Sequence, residues 1–318
     1  MKPSSTTRLA VPPARRTTIR LASFLLLFIA ELSFHMTYVD SLIYPLRTIT
    51  RTRYDDQHSK LLVQSTAPVD TSTKDLIPTI VEETETPSPH IIFPGGGIFF
   101  YYQAGLVHFL RENKYDLSNC TFAGASAGAL TASLTATDVD FYEATDLALS
   151  MAAKAGVWDR SSGLQGIWGP MIEDWLDTLL PPSIESIQGK VTLLVTPVPS
   201  FGKTKISHFV DRTDLIQCNI ASVHLPWFLN GKWTSNFRNQ PHIDGSFLSK
   251  TQDYFPPASQ SRPTIVLDWK EDPKMRARGG LDIVEALTPD GIYGLLDQGR
   301  VYGKIMEERG IFETLKKT

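Results

Sequence analysis

The chain has 318 residues, 34 acidic against 31 basic, with a formal net charge of −3 and 42% hydrophobic residues. That balance excludes nucleic-acid binding by bulk positive charge and suits an ordinary globular enzyme. Two cysteines, Cys120 and Cys218, exclude a disulfide framework.

The first twenty residues hold Lys2, Arg8, Arg15, Arg16 and Arg20 and no acid, and Leu21–Ala30 (LASFLLLFIA) follows as a ten-residue apolar core. Residues 1–45 therefore read as a targeting or anchoring segment outside the fold. A cleaved presequence fits the short core. An uncleaved anchor over about residues 21–45 would bury Glu31 and His35, at a cost of about 3 kcal/mol for Glu31 alone. An interfacial helix would let both face headgroups. The expectation is membrane association, at an endomembrane, lipid-droplet or organellar surface. Residues 46–89 read as a polar Ser/Thr/Pro linker, and residues 90–318 as the folded domain.

His90–Phe93 (HIIF) predicts a short buried strand, and Pro94-Gly95-Gly96-Gly97 a loop. Ile98–Leu110 then carries a helical apolar stripe. Within it, Phe99-Phe100-Tyr101-Tyr102 is expected mainly in the core, with an acyl channel as the alternative. Cys120–Ala123 predicts a second strand, with Cys120 as a buried thiol. Gly124-Ala125-Ser126-Ala127-Gly128 reads G-x-S-x-G, and Ala127–Ala136 predicts a helix close to a sheet. A serine at that junction sits on a tight strand-to-helix turn with its hydroxyl exposed at the sheet edge. The helix N-terminus behind it favours the negative charge that an attacked ester carbonyl acquires.

Strand, glycine loop, helix, strand and serine turn make one βαβ unit, which brings both loops to the same sheet edge. The loop N–H groups are then placed to stabilise an oxyanion, with the Ala127 N–H beside them. A phosphate loop needs Gly-Lys-Ser/Thr, and Ile98-Phe99-Phe100 supplies none. The dinucleotide fingerprint fails as well, since Phe100 stands where its last glycine belongs.

Further along, Asp138 or Asp140 caps a helix through Lys154, ended by Gly156. Trp168–Leu180 predicts a helix stopped by Pro181-Pro182, Lys190–Pro197 a strand and Thr213–Val223 a helix. Leu225–Leu229 before Asn230-Gly231 is either an exposed loop that dips into lipid or a buried one. Thr264–Asp268 predicts another strand and Lys270–Arg278 a solvated loop. Tyr293–Arg309 predicts a closing helix that packs through Leu296, Val301 and Ile305. Helices alternating with apolar strands give an α/β fold, a three-layer sandwich around a mainly parallel sheet.

The serine needs a base. The chain's last histidine is His242, so a hydrolase order of Ser, Asp/Glu, then His has only His208, His224 or His242 to use. Asp244, in Pro241-His242-Ile243-Asp244-Gly245-Ser246, is the simpler partner. Asp-Gly after a short apolar run marks a turn at a strand end, where a carboxylate can take the serine proton directly.

The stretch Gly95–Ala132, with Gly95-Gly96-Gly97, Tyr102, Gly105 and Gly124–Ala132, resembles the patatin-like phospholipase family, most closely the branch of adipose triglyceride lipase and adiponutrin. The resemblance implies a nucleophile at Ser126 and a sole base at Asp244. It also implies oxyanion N–H groups from Gly95–Gly97. No cluster of side chains has metal-ligand spacing, so no metal and no cofactor is expected. Two departures stand out. Phe100 breaks the family's glycine spacing, and Ser246 replaces its usual Gly or Ala. The function this implies is a serine acyl hydrolase of glycerolipids at a membrane or lipid-droplet surface. Acyl transfer to an alcohol or lysolipid is the alternative, and a non-catalytic lipid-surface protein is the reading from another class.

Overall fold

A computed structural model describes residues 88–255, 262–278 and 284–318 together with Asp282. Residues 1–87 lie outside the described residues, and with them the anchor segment and nearly all of the linker.

A seven-stranded sheet forms the frame, with β1 (His90–Phe93), β2 (Thr121–Gly124), β3 (Val191–Pro197), β4 (Thr204–Ile206), β5 (Ser235–Phe237), β6 (Gln240–Ile243) and β7 (Thr264–Val266). Its order is β5-β6-β3-β2-β1-β7, with β4 also paired to β3. The four strands β3, β2, β1 and β7 run parallel, while β4, β6 and β5 add antiparallel pairings. The register of Phe93 opposite Gly124 sets the ends of β1 and β2 level, while β3 runs on past Leu193 to Pro197. The loops that follow β1 and β2 therefore leave at one edge.

The inner strands β1, β2 and β3 are mostly apolar because both their faces are covered, whereas β4, β5 and β6 carry exposed or part-exposed polar residues. Ile91, Phe93, Phe122, Leu193 and Val195 point into the large core with the helices. Ile92, Ala123 and Leu194 point the other way, into a smaller cluster with Tyr254.

The helices are α1 (Phe100–Glu112), α2 (Ala127–Ala136), α3 (Phe141–Lys154), α4 (Trp168–Leu179), α5 (Arg212–Ser222), α6 (Pro273–Arg276) and α7 (Pro289–Glu308). Nearly all of α2 is buried, so its small residues let it lie close to the sheet, and its hydroxyls must bond internally. Thr131 Oγ1 and Thr135 Oγ1 donate to carbonyls one turn back, at 3.2 and 2.7 Å. Asp140 caps α3, its Oδ1 accepting from the Tyr142 and Glu143 N–H groups, while Asp138 pairs with Arg111 at 3.1 Å.

Three expectations need correction. α7 starts at Pro289 and not at Tyr293, because Thr288 caps it by accepting from the Gly291 N–H and Pro289 fits the first turn. Val301 is 55% exposed, and the packed face runs through Leu295, Leu296, Gly299, Tyr302 and Met306. Lys270–Arg278 is no open loop, since Asp272 is buried and caps α6 and Met275 is buried behind it.

Candidate active site

Ser126 stands between β2 and α2 with φ 54° and ψ −129°. A residue with a Cβ adopts that conformation at a cost of about 1–3 kcal/mol, so the surroundings must hold it. The Ser126 N–H donates to Ser222 Oγ at 2.9 Å, and Ser222 Oγ donates to Leu194 O of β3 at 2.7 Å. Gly124 and Gly128 close the turn from either side. A Cβ on Gly124 would lie 2.0 Å from Gly128 O, and one on Gly128 would lie 1.8 Å from Phe93 O. Both positions exclude any side chain.

Asp244 follows β6 and is buried. Its N–H donates to His224 O at 2.9 Å, and its carbonyl accepts from Thr196 Oγ1 at 2.9 Å. Oδ1 accepts from Ser246 N–H at 2.8 Å and Ser246 Oγ at 2.6 Å. Oδ2 is buried and has no hydrogen-bond partner among the described residues. Burial pushes the Asp244 carboxyl above the usual aspartate range; Ser246, the nearby Ser126 hydroxyl and the charge of Lys203 pull it back. Ser126 and Asp244 are thus brought together, with the free oxygen of the carboxylate not yet engaged.

Ser222 ties the two to each other. Its hydroxyl holds the Ser126 N–H, and its carbonyl accepts from the Gly245 N–H at 2.8 Å. Gly245 is required there, because a Cβ would fall 2.0 Å from Leu194 O. Lys203 Nζ donates to Thr196 Oγ1 at 2.8 Å and to Phe247 O, bracketing Asp244 through its neighbours. Burial brings the Lys203 ammonium down to about 8, against the opposing pull of Asp244 and Asp253.

The glycine loop is clamped at both ends. Gln103 Nε2 donates to Pro94 O at 2.7 Å, and its Oε1 accepts from Thr131 Oγ1 at 3.0 Å, which joins the loop to α2. Trp269 Nε1 donates to Gly95 O at 3.0 Å. Gly97 takes φ 53°, the left-handed turn that leads into α1. Gly95 is wedged between Ser246 and Ser126. Among the described residues, no backbone carbonyl accepts from the N–H of Gly96, Gly97 or Ala127.

Gly97, Ser126 and Ala127 border a cavity of about 960 Å³, open mouth included, whose walls are Leu130, Met151, Trp168, Ile172 and Val223 among others. The aromatic run divides between the two roles foreseen for it. Phe100 and Tyr101 line this cavity, whereas Tyr102 is core and Phe99 stacks on Trp269 at 4.2 Å. Phe100 also packs edge-on to Trp175 at 5.5 Å, so the missing glycine at this position is filled by wall.

None of the described histidines bonds to Ser126 or Asp244 through its ring, and His224 Nδ1 is buried without a partner among the described residues. His224 Nε2 meets Lys232 O at 3.2 Å, His242 Nδ1 meets Gln240 O at 2.8 Å, and His208 Nδ1 meets Ser207 Oγ at 3.2 Å. His108 pairs with Glu112 at 3.1 Å, and His90 bridges Thr121 and Tyr254 O.

A strained serine before a helix N-terminus, a buried carboxylate beside it and an apolar cavity in front give an arrangement suited to acyl chemistry. Human patatin-like phospholipase domain-containing protein 2 is 31% identical to this chain over 164 residues. Over about half its length the chain is similar to a patatin-like phospholipase. The mouse omega-hydroxyceramide transacylase is 28% identical over 169 residues. These matches take in 49% and 51% of this chain but 32% and 28% of the relatives, so the chain spans about a third of their length. No family model matches. Among solved structures, VipD from Legionella pneumophila is 12% identical at TM-score 0.31, covering 56% of this chain and 49% of its own, too slight a likeness to bear on the fold.

Ser222, Gln103, Trp269 and Lys203 carried no sequence signal, because each acts on residues far away in the chain. Ser222 gives a direct test. Ser222→Ala leaves the buried Ser126 N–H without an acceptor and loosens the turn. The expected result is a kcat about tenfold lower with KM within twofold, and stability reduced by about 1–3 kcal/mol. Steady-state kinetics on a short ester with a melt of the same sample checks it. Ser222→Thr, which keeps the hydroxyl, should recover part of the kcat.

Proposed function

We propose that this protein cleaves lipid carboxyl esters through a serine acyl-enzyme, with Ser126 as nucleophile and Asp244 as its only base. The observation that carries the reading is the placement of Ser126, on the wall of an apolar cavity, beside the buried Asp244 carboxyl, whose Oδ2 has no hydrogen-bond partner among the described residues. Ser126 Oγ attacks the ester carbonyl as its proton passes to Oδ2. The oxyanion meets the N–H groups of Gly97 and Ala127, with Gly96 next to them and the α2 dipole behind. The leaving alcohol takes the proton back from Asp244. Water or a second alcohol then attacks the acyl-enzyme, again giving its proton to Asp244, which passes it to Ser126 Oγ as the acyl–oxygen bond breaks and the free serine is restored. A carboxylate can be this base because burial has raised its proton affinity.

The cavity wall suits a long acyl chain, and glycerolipid is the substrate class proposed. Hydrolysis is the first reading. Transfer to an alcohol is the second, and what favours it is the transacylase among the relatives together with the apolar lining in front of Ser126. The test is a radiolabelled acyl glycerolipid, incubated with and without a long-chain alcohol, and product counting. Free fatty acid as the main product in both mixtures supports hydrolysis. A wax-type ester that exceeds free acid when the alcohol is present establishes transfer. Absence of both products would leave only a non-catalytic scaffold.

A further inference from the structure

The wall of the cavity continues outward into one loop. Leu225 lines the cavity, and Phe228 packs edge-on to Trp168, another lining residue, with ring centroids 5.7 Å apart. Leu229 is fully buried and its carbonyl accepts from the Gly169 N–H at 2.9 Å, while Phe228 O accepts from Gly166 N–H at 2.8 Å. The inner side of the loop is therefore fastened to the start of α4.

The outer side is built differently. Trp227 and Trp233 are 48% and 43% exposed, with ring centroids 4.7 Å apart. Trp227 has φ 58°, which a bulky residue avoids, and it is held there by Trp227 N–H to Lys232 O at 2.7 Å and Gly231 N–H to Trp227 O at 3.1 Å. The indoles of Trp158, Trp175 and Trp269 donate to carbonyls, whereas among the described residues neither Trp227 nor Trp233 has an acceptor. Lys232 lies exposed between them in sequence. Trp158, a lining residue of the same cavity, is 38% exposed.

We propose that the Trp227–Trp233 pair is a lipid-docking surface that seats the cavity mouth on the headgroup layer of a glycerophospholipid bilayer. The inference rests on the acyl-ester reading above, which requires substrate to pass from a lipid phase into the cavity. Two exposed rings with unused N–H donors match the interfacial zone, which is apolar below and supplies carbonyl and phosphate acceptors above. Lys232 complements an anionic headgroup. The rigid tie to α4 means that a loop resting in lipid keeps the Leu225 and Trp168 wall facing it.

The test uses the full chain and phosphatidylcholine–phosphatidylserine vesicles whose acyl chains carry bromine, a short-range quencher of tryptophan. Wild type should show quenching that the Trp227→Phe/Trp233→Phe double variant largely loses. Trp227→Ala/Trp233→Ala should weaken vesicle binding roughly tenfold or more and turnover of vesicle substrate in proportion. Turnover of a water-soluble butyrate ester should stay within about twofold, which also reports that the variant is folded. Equal quenching in wild type and the Phe variant, or unchanged vesicle binding in the Ala variant, overturns the docking surface. So does a change of oligomeric state in the Ala variant with vesicle binding intact, which would assign the pair to a second copy. Wild type that binds vesicles through these residues but turns over neither ester would instead overturn the acyl-ester reading alone.

Discussion

Asp244→Asn should lower kcat on a soluble short-chain ester by about 10²–10⁴-fold, the usual range for loss of a general base. Asn keeps the shape and an acceptor for the Ser246 contacts at 2.8 and 2.6 Å, but it cannot take a proton. His108→Gln, His208→Gln, His224→Gln and His242→Gln should each retain kcat within about fivefold. Their ring nitrogens meet Glu112, Ser207, Lys232 O and Gln240 O, and none bonds to Ser126 or Asp244. The pH profile gives the same answer by another route. Asp244 must be ionised to act, and burial raises its pKa above the ordinary 3.8. Activity should therefore fall as pH drops through a value higher than that of an exposed aspartate. Loss of the Lys203 charge, as in Lys203→Met, should move this acid limb further up. A histidine variant as inactive as Asp244→Asn would replace the pair with a triad.

Ser126→Ala should remove at least about a thousandfold of kcat, because among the described residues Ser126 is the one serine or threonine lining the cavity and its hydroxyl lies near the Asp244 carboxyl. Fold and melting temperature should hardly change. Ser126→Gly should be equally inactive yet more stable by about 1 kcal/mol, since glycine relieves the strain of φ 54° and ψ −129°. For a domain of this size that is a melting temperature about 2–4 °C higher. A Gly variant that melts lower than the Ala variant would show that the turn is unstrained.

Much of this architecture was legible because it is written locally. The Ala127–Ala136 helix has the predicted bounds, and β1 does too, since HIIF between polar and glycine-rich stretches permits little else. Asp140 and Gly156 bound α3 as cap residues do. The three-residue strands β4 and β5 were not legible. Such short runs carry no period, and pairing with β3 and β6 alone makes them strands. α7 began early because its first turn is capped and polar, without an apolar stripe.

The site divides in the same way. The adjacency of Ser126 and Asp244 could be anticipated from the G-x-S-x-G turn and the Asp-Gly turn, each a local signal. What positions them could not. Ser222 reaches Ser126 across 96 positions and Trp269 reaches Gly95 across 174, and a lone Ser or Trp gives no hint of such a partner. Ser246 looked like a small departure from the family pattern, yet it supplies both hydrogen bonds to Asp244 Oδ1. The loop Leu225–Leu229 was open between buried and exposed because it is both: Leu229 inside, Trp227 outside.

The most direct measurement is covalent. The 318-residue chain is treated with a fluorophosphonate, and the adduct is mapped by peptide mass spectrometry. One adduct is expected, on Ser126, absent in Ser126→Ala and formed at least about a hundredfold more slowly in Asp244→Asn. No adduct, an adduct on Ser222 or Ser246, or labelling of Ser126 at the same rate without the Asp244 carboxylate would contradict the Ser126–Asp244 assignment.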